Sequence, residues 1–382
     1  METLILRFPH LCEMIFDNLD NQSLFNCKVA SKVWSIYIGE QKFYGIRSIK
    51  ETVKQFYKLS KPWFEVFKKA NTENILELRN CFNQFQKEGR QIYNKFNKEV
   101  TPLHVCASAG NILLYEAIHK LAENKQPRTE DGFEPVFYSI KEGNVEMTEF
   151  IIQRSVDKNP ESKDGSTALH LASKHGHVEI CESIVKHLED KNPKCIYTGT
   201  TPLHVAARFG HVRVSELIIN HIDDQQRSIP FINTYDNLVD DEKNPRDVNG
   251  WTPLHYAAEF GHTKTSKMII EAVQNKNPMS NWTRMTPFHI ASKYGRVEIC
   301  ALFLKSIRDK HPRTSVGAVF AGDTPLHMAA ENGHVKVCIL ILQNVRNKNP
   351  RNHDGKTPLT VARENNQFKV CWVLEKIWNC VT

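Results

Sequence analysis

Apolar and polar positions recur along most of this chain with a period of about 33 residues. Each period begins with apolar and small residues spaced three to four positions apart, which is the spacing of one helix face. A second apolar stretch follows, with residues at positions i, i+3 and i+4. The pattern predicts two short helices per period and therefore an all-α chain built from repeated helix pairs.

Each period opens on the tetrapeptide Thr-Pro-Leu-His or on a variant of it. The eight copies begin at Thr101, Glu134, Thr167, Thr201, Thr252, Thr286, Thr324 and Thr357. Threonine before proline is typical of a helix N-cap followed by proline at the first helical position. A glycine after the Ala pair predicts the end of the first helix, and Lys-Asn-Pro predicts the end of the second. Asp-Gly or Asn-Gly then predicts a tight turn.

This helix–turn–helix–hairpin unit resembles the ankyrin repeat, whose motif is Thr-Pro-Leu-His-x-Ala-Ala-x-x-Gly-His. The resemblance covers residues 96–382 and implies a solenoid of about eight repeats. Two wider spacings between copies predict insertions, one a polar loop at about 223–239 and the other a lengthened hairpin near 313–321. Insertions in a solenoid lie on one face, where they either contribute to binding or vary neutrally.

Residues 1–44 do not follow the repeat. Leu11, Ile15 and Leu19 are four positions apart and predict one face of a short helix, which is followed by a polar turn and a second helix that ends near Trp34. The segment resembles the F-box. The resemblance rests on Phe8-Pro9, Ile15-Phe16, Leu19, Ser23-Leu24, Cys27, Ser31-Lys32 and Trp34.

An F-box implies binding to the Skp-type adaptor of a cullin–RING ubiquitin ligase. A helical unit of this size cannot bury all of its large apolar side chains internally, so the remainder needs a partner. An alternative interpretation is that the unit only covers the first repeat, since terminal repeats require a cap. The expected adaptor-binding residues are Phe8, Pro9, Leu11, Ile15, Phe16, Leu19, Leu24 and Trp34.

Residues 45–95 predict a helical linker or N-terminal cap that docks the F-box-like unit onto the repeats. This part of the chain also carries most of its excess charge. The net charge is +7, and residues 42–98 contain thirteen basic and five acidic residues. A basic helical segment is typical either of nucleic-acid or anionic-membrane binding or of a solvated helix face. Because no nucleic-acid-binding motif accompanies the charge, we expect the solvated face.

The ten cysteines include no Cys-x-x-Cys pair, and several occupy apolar helix positions. This usage favours a reducing compartment, so we expect a cytoplasmic protein, with the nucleus as a second location. The N-terminal residues lack the apolar stretch of a secretory signal, and no apolar run approaches the length of a membrane span. We expect no membrane or nucleic-acid partner and a monomeric chain.

Seventeen histidines raise the question of metal binding or catalysis. Most of them occupy two fixed positions of the repeat, which predicts structural side chains that hydrogen-bond to neighbouring turns. No metalloprotease, phosphate-binding or nucleophile-elbow motif is found. We therefore expect no enzyme activity, no catalytic or metal-binding residue and no cofactor.

The two variable residues before each glycine are expected on the concave face of the repeats. With the two tryptophans near hairpin tips, they predict a stripe of aromatic residues flanked by charges, which protein interfaces favour. An alternative is that these rings pack between repeats. The candidate target-binding residues are Arg208, Phe209, Trp251, Glu259, Phe260, Trp282, Lys293 and Tyr294.

Together these features predict a substrate receptor of an SCF-type ubiquitin ligase, with an F-box that holds the adaptor and repeats that hold an unknown target protein. Two alternatives remain open: an ankyrin scaffold without a ligase role, or a parasite or endosymbiont effector of the same architecture.

Overall fold

The computed structural model describes residues 101–379, apart from 111, 113–114, 117–118, 120–123, 229–242 and 315–321. The predicted F-box-like unit and linker lie outside these residues. The described elements are all helical, and their single β contact is an isolated bridge between Glu161 and Thr167. None of the described helices is long and apolar enough to cross a membrane. The chain divides into two compact units, Met1–Ser155 and Val156–Thr382.

In the first unit the structure delimits helices α1 (Pro102–Ala109), α2 (Pro135–Lys141) and α3 (Val145–Arg154). Helix α1 packs against α2, and α2 packs against α3. The His104 Nε2 atom donates to the Phe133 carbonyl oxygen at 2.9 Å, which ties the start of α1 to the turn before α2.

The second unit continues the same pattern. Its helices are α4 (Ala168–His175), α5 (Val178–Val185), α6 (Pro202–Phe209), α7 (Val212–Ser228), α8 (Pro253–Phe260), α9 (Thr263–Ala272), α10 (Pro287–Lys293), α11 (Val297–Ser306), α12 (Pro325–Glu331), α13 (Val335–Asn344), α14 (Pro358–Glu364) and α15 (Phe368–Asn379). The even-numbered helices from α4 to α14 contact one another in order, and so do the odd-numbered helices from α5 to α15. The result is a two-layered helical stack.

The Thr-Pro-Leu-His motif both starts a helix and joins it to the next repeat. In α6, Thr201 is the extended N-cap residue, and its backbone N–H donates to His204 Nδ1 at 3.1 Å. The Nε2 atom of the same imidazole donates to the Trp251 carbonyl oxygen of the following repeat at 3.0 Å. Equivalent bonds are made by His170, His255, His289 and His327. The predicted N-caps and the structural role of these histidines are confirmed.

The Lys-Asn-Pro segment does more than end the second helix. The Asn192 side-chain oxygen accepts a hydrogen bond from the Leu203 backbone N–H at 3.1 Å, inside the first turn of α6. Asn277 does the same for Phe288 at 3.1 Å. Because the first amides of a helix have no partner within it, this asparagine supplies a cap that the sequence pattern did not reveal.

The insertion after α6 differs from the prediction. The sequence predicted a polar loop at 223–239, but α7 continues as helix to Ser228. No glycine or proline interrupts the chain before Pro230, and helices commonly end at or before the residue that precedes proline. Polar residues of the sequence can therefore extend the helix beyond the buried Ile222.

Candidate protein-binding face

Three aromatic side chains lie outside the core at the C-terminal ends of α6, α8 and α10, which are the first helices of successive repeats in the second unit. Phe209, Phe260 and Tyr294, which we call the aromatic ladder, are 42%, 42% and 41% exposed. Each precedes the glycine that reverses the chain, whereas the Ala pair one turn earlier in α6 and α8 is fully buried. The motif therefore fixes the ladder on the outer end of the first helices, where the sequence predicted contact residues.

Basic side chains border the ladder at its N-terminal end. The Arg208 guanidinium carbon lies 5.2 Å from the Phe260 ring centroid and 6.0 Å from that of Phe209. Lys174 Nζ lies 6.0 Å from the Phe209 centroid. A cation near an aromatic face is attracted by the ring quadrupole, so these contacts orient the charged groups beside the exposed rings.

The C-terminal end of the ladder combines both signs of charge. The Tyr294 hydroxyl donates to the Glu259 carboxylate at 3.1 Å, and Lys293 Nζ lies 5.9 Å from the Tyr294 ring centroid. Desolvation and the Glu259 charge raise the pKa of the Tyr294 phenol. The Glu259 carbonyl oxygen also accepts from the Arg296 side chain at 2.9 and 3.1 Å. This network holds Glu259 and Tyr294 in one arrangement.

A second row of histidines holds the ladder helices at a fixed spacing. His211 Nε2 donates to the Lys174 carbonyl oxygen at 2.9 Å, and His262 Nε2 donates to that of Arg208 at 2.8 Å. His334 makes the same bond to Lys293 at 2.8 Å. Each bond satisfies a carbonyl at the C-terminal end of a first helix, where intrahelical partners are lacking. These hydrogen bonds therefore fix the backbone of Lys174, Arg208 and Lys293, which carry charged side chains on this face.

The two tryptophans near hairpin tips have different environments. Trp251 is half-buried, with its ring 5.5 Å from that of His255 and 5.3 Å from that of Tyr256. Trp251 therefore contributes to packing, which was the alternative that the sequence left open for all of the candidate aromatic residues. Trp282 is 78% exposed. The structure brings Arg208, Glu259 and the ladder rings together, whereas Trp251 lies against the core.

Further apolar residues on the hairpin tips were not identified from the sequence. Ile196, Tyr197 and Val248 are exposed like Trp282, and we call these four residues the tip ridge. Adjacent tips are joined because the Val248 N–H donates to the Thr198 carbonyl oxygen at 3.1 Å. Large apolar residues within otherwise polar turns were the available signal, since tight turns favour small polar residues.

Burial perturbs several titratable groups of the described residues. No group of three His, Cys, Asp or Glu side chains suited to a metal ion occurs among them. Burial raises the pKa of the Cys181 and Cys300 thiols to about 12, so neither is a thiolate at neutral pH. Burial also lowers the pKa of the His204 and His255 imidazoles to about 3.

Comparison with known proteins identifies one family. The model for ankyrin repeats, in three copies, matches residues 149–229, 230–315 and 307–379, which together make up more than half of the chain. The match begins after the first two copies of the motif and does not include residues 1–148, so the F-box resemblance of the N-terminal segment stays a prediction. No curated protein matches the chain. By its repeated motif, its stacked helix pairs and this match, the chain belongs to the ankyrin-repeat family.

Proposed function

We propose that this protein is a receptor that holds a target protein on its ankyrin face and recruits a ubiquitin ligase through its N-terminal segment. Ankyrin repeats indicate a role in protein–protein interaction. The observation that supports target binding most strongly is the aromatic ladder, since three consecutive repeats leave a large ring exposed at the same position.

Exposed rings at equivalent positions provide the elements of a protein interface. Their helices pack at about 8–10 Å from one another, so three rings extend over about 20 Å, enough to contact several residues of a partner. Aromatic and arginine side chains dominate binding energy at protein interfaces. The backbone of the ladder is also held in place before binding, because His262 and His334 donate hydrogen bonds to the carbonyl oxygens of Arg208 and Lys293. A preformed surface loses little conformational entropy when a partner binds.

The proposed ligase-binding end rests on sequence alone. The F-box resemblance places adaptor contacts at Phe8, Pro9, Leu11, Ile15 and Trp34, with Phe16, Leu19 and Leu24 in the same set. These residues lie outside the part of the chain that the structure describes. A Skp-type adaptor and its cullin are therefore the proposed partners, and the resemblance is the support for them.

Such a receptor does not need its own catalytic residues. Ubiquitin transfer takes place on other subunits of the ligase, and the receptor contributes by raising the local concentration of the target near the transfer site. An ankyrin scaffold without a ligase role would use the same face but would not bind the adaptor. A parasite or endosymbiont effector would bind both partners by the same mechanism.

Adaptor capture separates the receptor from the scaffold. We expect the full-length protein to retain a purified Skp adaptor–cullin complex, and an Ile15→Asp/Leu19→Asp variant to lose it while its helical circular dichroism is unchanged. A Phe209→Ala/Phe260→Ala variant serves as a matched control and should retain the complex. Absence of capture by the folded parent would overturn the ligase role and leave the scaffold.

A further inference from the structure

The charges that border the aromatic ladder are distributed unevenly along the stack. The residue that precedes the ladder position is Lys174 in the first repeat of the second unit and Arg208 in the next. Both side chains are exposed, and among the described residues neither forms an ion pair with a carboxylate. Within the described part of the chain, two cations therefore lie beside exposed rings without a direct ion-pair partner, and the carboxylates of Asp247 and Glu259 act together with Arg208 on the Tyr256 hydroxyl.

Farther along the stack the same position carries Glu259, Lys293 and Glu331 in turn, and Lys293 interacts electrostatically with the Glu331 carboxyl. Glu259 is half-buried, and its carboxylate accepts the Tyr294 hydroxyl bond. Glu331 is half-buried as well, and burial and the nearby Asp323 raise the pKa of its carboxyl. Among the described residues at this position, two neighbouring cations without a direct ion pair thus occur at the end formed by α4 and α6, whereas Lys293 lies between two acidic positions.

We infer that the face binds an extended acidic segment of a partner protein, with a carboxylate beside Lys174 and Arg208 and apolar side chains on the ladder rings. This inference deepens the proposed function and rests on it. Charge complementarity selects the sign of the partner, because a like charge at an interface is disfavoured and an opposite one speeds association. Carboxylates also match the planar donor geometry of a guanidinium.

The aromatic contacts make Arg208 the central residue of this site. Its guanidinium lies near the rings of both Phe209 and Phe260, and its carbonyl oxygen is held by His262. The side chain is therefore partly ordered before binding, which lowers the entropic cost of holding a carboxylate. A guanidinium near an aromatic ring can still direct its planar set of N–H donors towards a carboxylate.

The probe is a library of random twelve-residue peptides displayed on phage and selected on the full-length protein. We expect the selected peptides to be enriched in Asp and Glu together with aromatic or aliphatic residues. A Lys174→Glu/Arg208→Glu variant should bind the best peptide about tenfold more weakly in fluorescence anisotropy, the loss expected from reversing charges that face a carboxylate. Arg213→Glu/Lys264→Glu makes the same charge change on exposed second-helix residues and should change the affinity less than twofold.

The other outcomes are distinct. Selected peptides without excess acid, or peptides that bind the Lys174→Glu/Arg208→Glu variant as well as the parent, would overturn the acidic-segment inference and leave target binding by the face intact. A Phe209→Ala/Phe260→Ala variant that selects the same peptides as the parent, or a parent that selects none, would contradict the proposed binding face itself.

Discussion

His262 Nε2 donates a 2.8 Å hydrogen bond to the carbonyl oxygen of Arg208, a residue 54 positions earlier in the chain. The bond joins the start of α9 to the end of α6, so it crosses from one repeat to the preceding one. The hydrogen bond holds the backbone of Arg208, whose guanidinium lies near the exposed rings of Phe209 and Phe260. Packing between repeats and the geometry of the binding face therefore depend on the same contact.

This contact predicts unequal effects for two glycine substitutions. Gly210 adopts a left-handed φ of 76°, and a Cβ there would collide with the His262 imidazole. Gly355 has a similar φ of 73° but nothing within 4 Å of such a Cβ. We expect Gly355→Ala to cost about 1–2 kcal/mol through backbone strain alone. Gly210→Ala should lower the free energy of unfolding by at least about 1 kcal/mol more, because overpacking adds to the strain.

Urea unfolding followed by circular dichroism measures both glycine variants under the same conditions. Equal decreases in the free energy of unfolding of the two variants would show that the His262 imidazole moves aside without cost. That result would contradict a fixed position of His262 against Gly210.

The buried histidines predict a loss of stability in weak acid. Burial lowers the pKa of the His204 and His255 imidazoles to about 3 and that of His289 to about 4, all from 6.5. Protonation of Nδ1 would also break its bond from the Thr201 N–H in the case of His204. Since the unfolded chain binds these protons first, stability is complete above pH 6.5 and decreases as the pH falls from 6.5 towards 4. Below pH 6.5 each of these imidazoles lowers the free energy of unfolding by up to about 1.4 kcal/mol for each pH unit of acidification.

The free energy of unfolding, measured in urea between pH 7.5 and 5, checks this sign. Carboxylate groups titrate mainly below this interval, so the histidines dominate the change within it. A free energy that stays constant or rises as the pH falls to 5 would contradict the neutral, buried histidines.

Replacement of the two tryptophans near hairpin tips should have unequal effects on stability. Trp251 packs on His255 and Tyr256, so Trp251→Ala should cost about 2–4 kcal/mol, as expected for loss of a large packed side chain. Trp282 is 78% exposed, and its replacement by alanine should change stability by less than about 0.5 kcal/mol. Thermal unfolding of both variants gives the comparison, and a large stability loss for Trp282→Ala would place that ring in a packing role.

The asparagine of Lys-Asn-Pro should stabilise the following repeat. Asn192→Ala removes the acceptor for the Leu203 N–H and should cost about 1–2 kcal/mol, the usual effect of losing a helix cap. Asn220, an exposed residue within α7, offers a matched control, and Asn220→Ala should change stability by less than about 0.5 kcal/mol. Similar effects of both substitutions would mean that Asn192 acts only as a turn residue.

The helix pairs and the ladder positions could be predicted from sequence because they depend on local signals. Thr201-Pro202 starts a helix and Gly210 ends it wherever the fold allows, which leaves Phe209 at the outer end. The environment of Trp251 could not be predicted, since the sequence does not show whether its ring packs on His255 and Tyr256 or faces outwards at the hairpin tip. The exposure of Ile196 and Tyr197 depends likewise on how adjacent tips pack. Such tertiary contacts leave no periodic signal.

The most direct test of the central claim is quantitative affinity capture from a lysate of the source cells. The parent protein is compared with the Phe209→Ala/Phe260→Ala variant and with the Ile15→Asp/Leu19→Asp variant, and a Phe368→Ala variant controls for loss of an exposed ring elsewhere. We predict that the ladder variant loses target proteins but retains the Skp adaptor and cullin, whereas the N-terminal variant shows the reverse. A ladder variant that captures the same proteins as the parent would contradict the claim that this face holds the target.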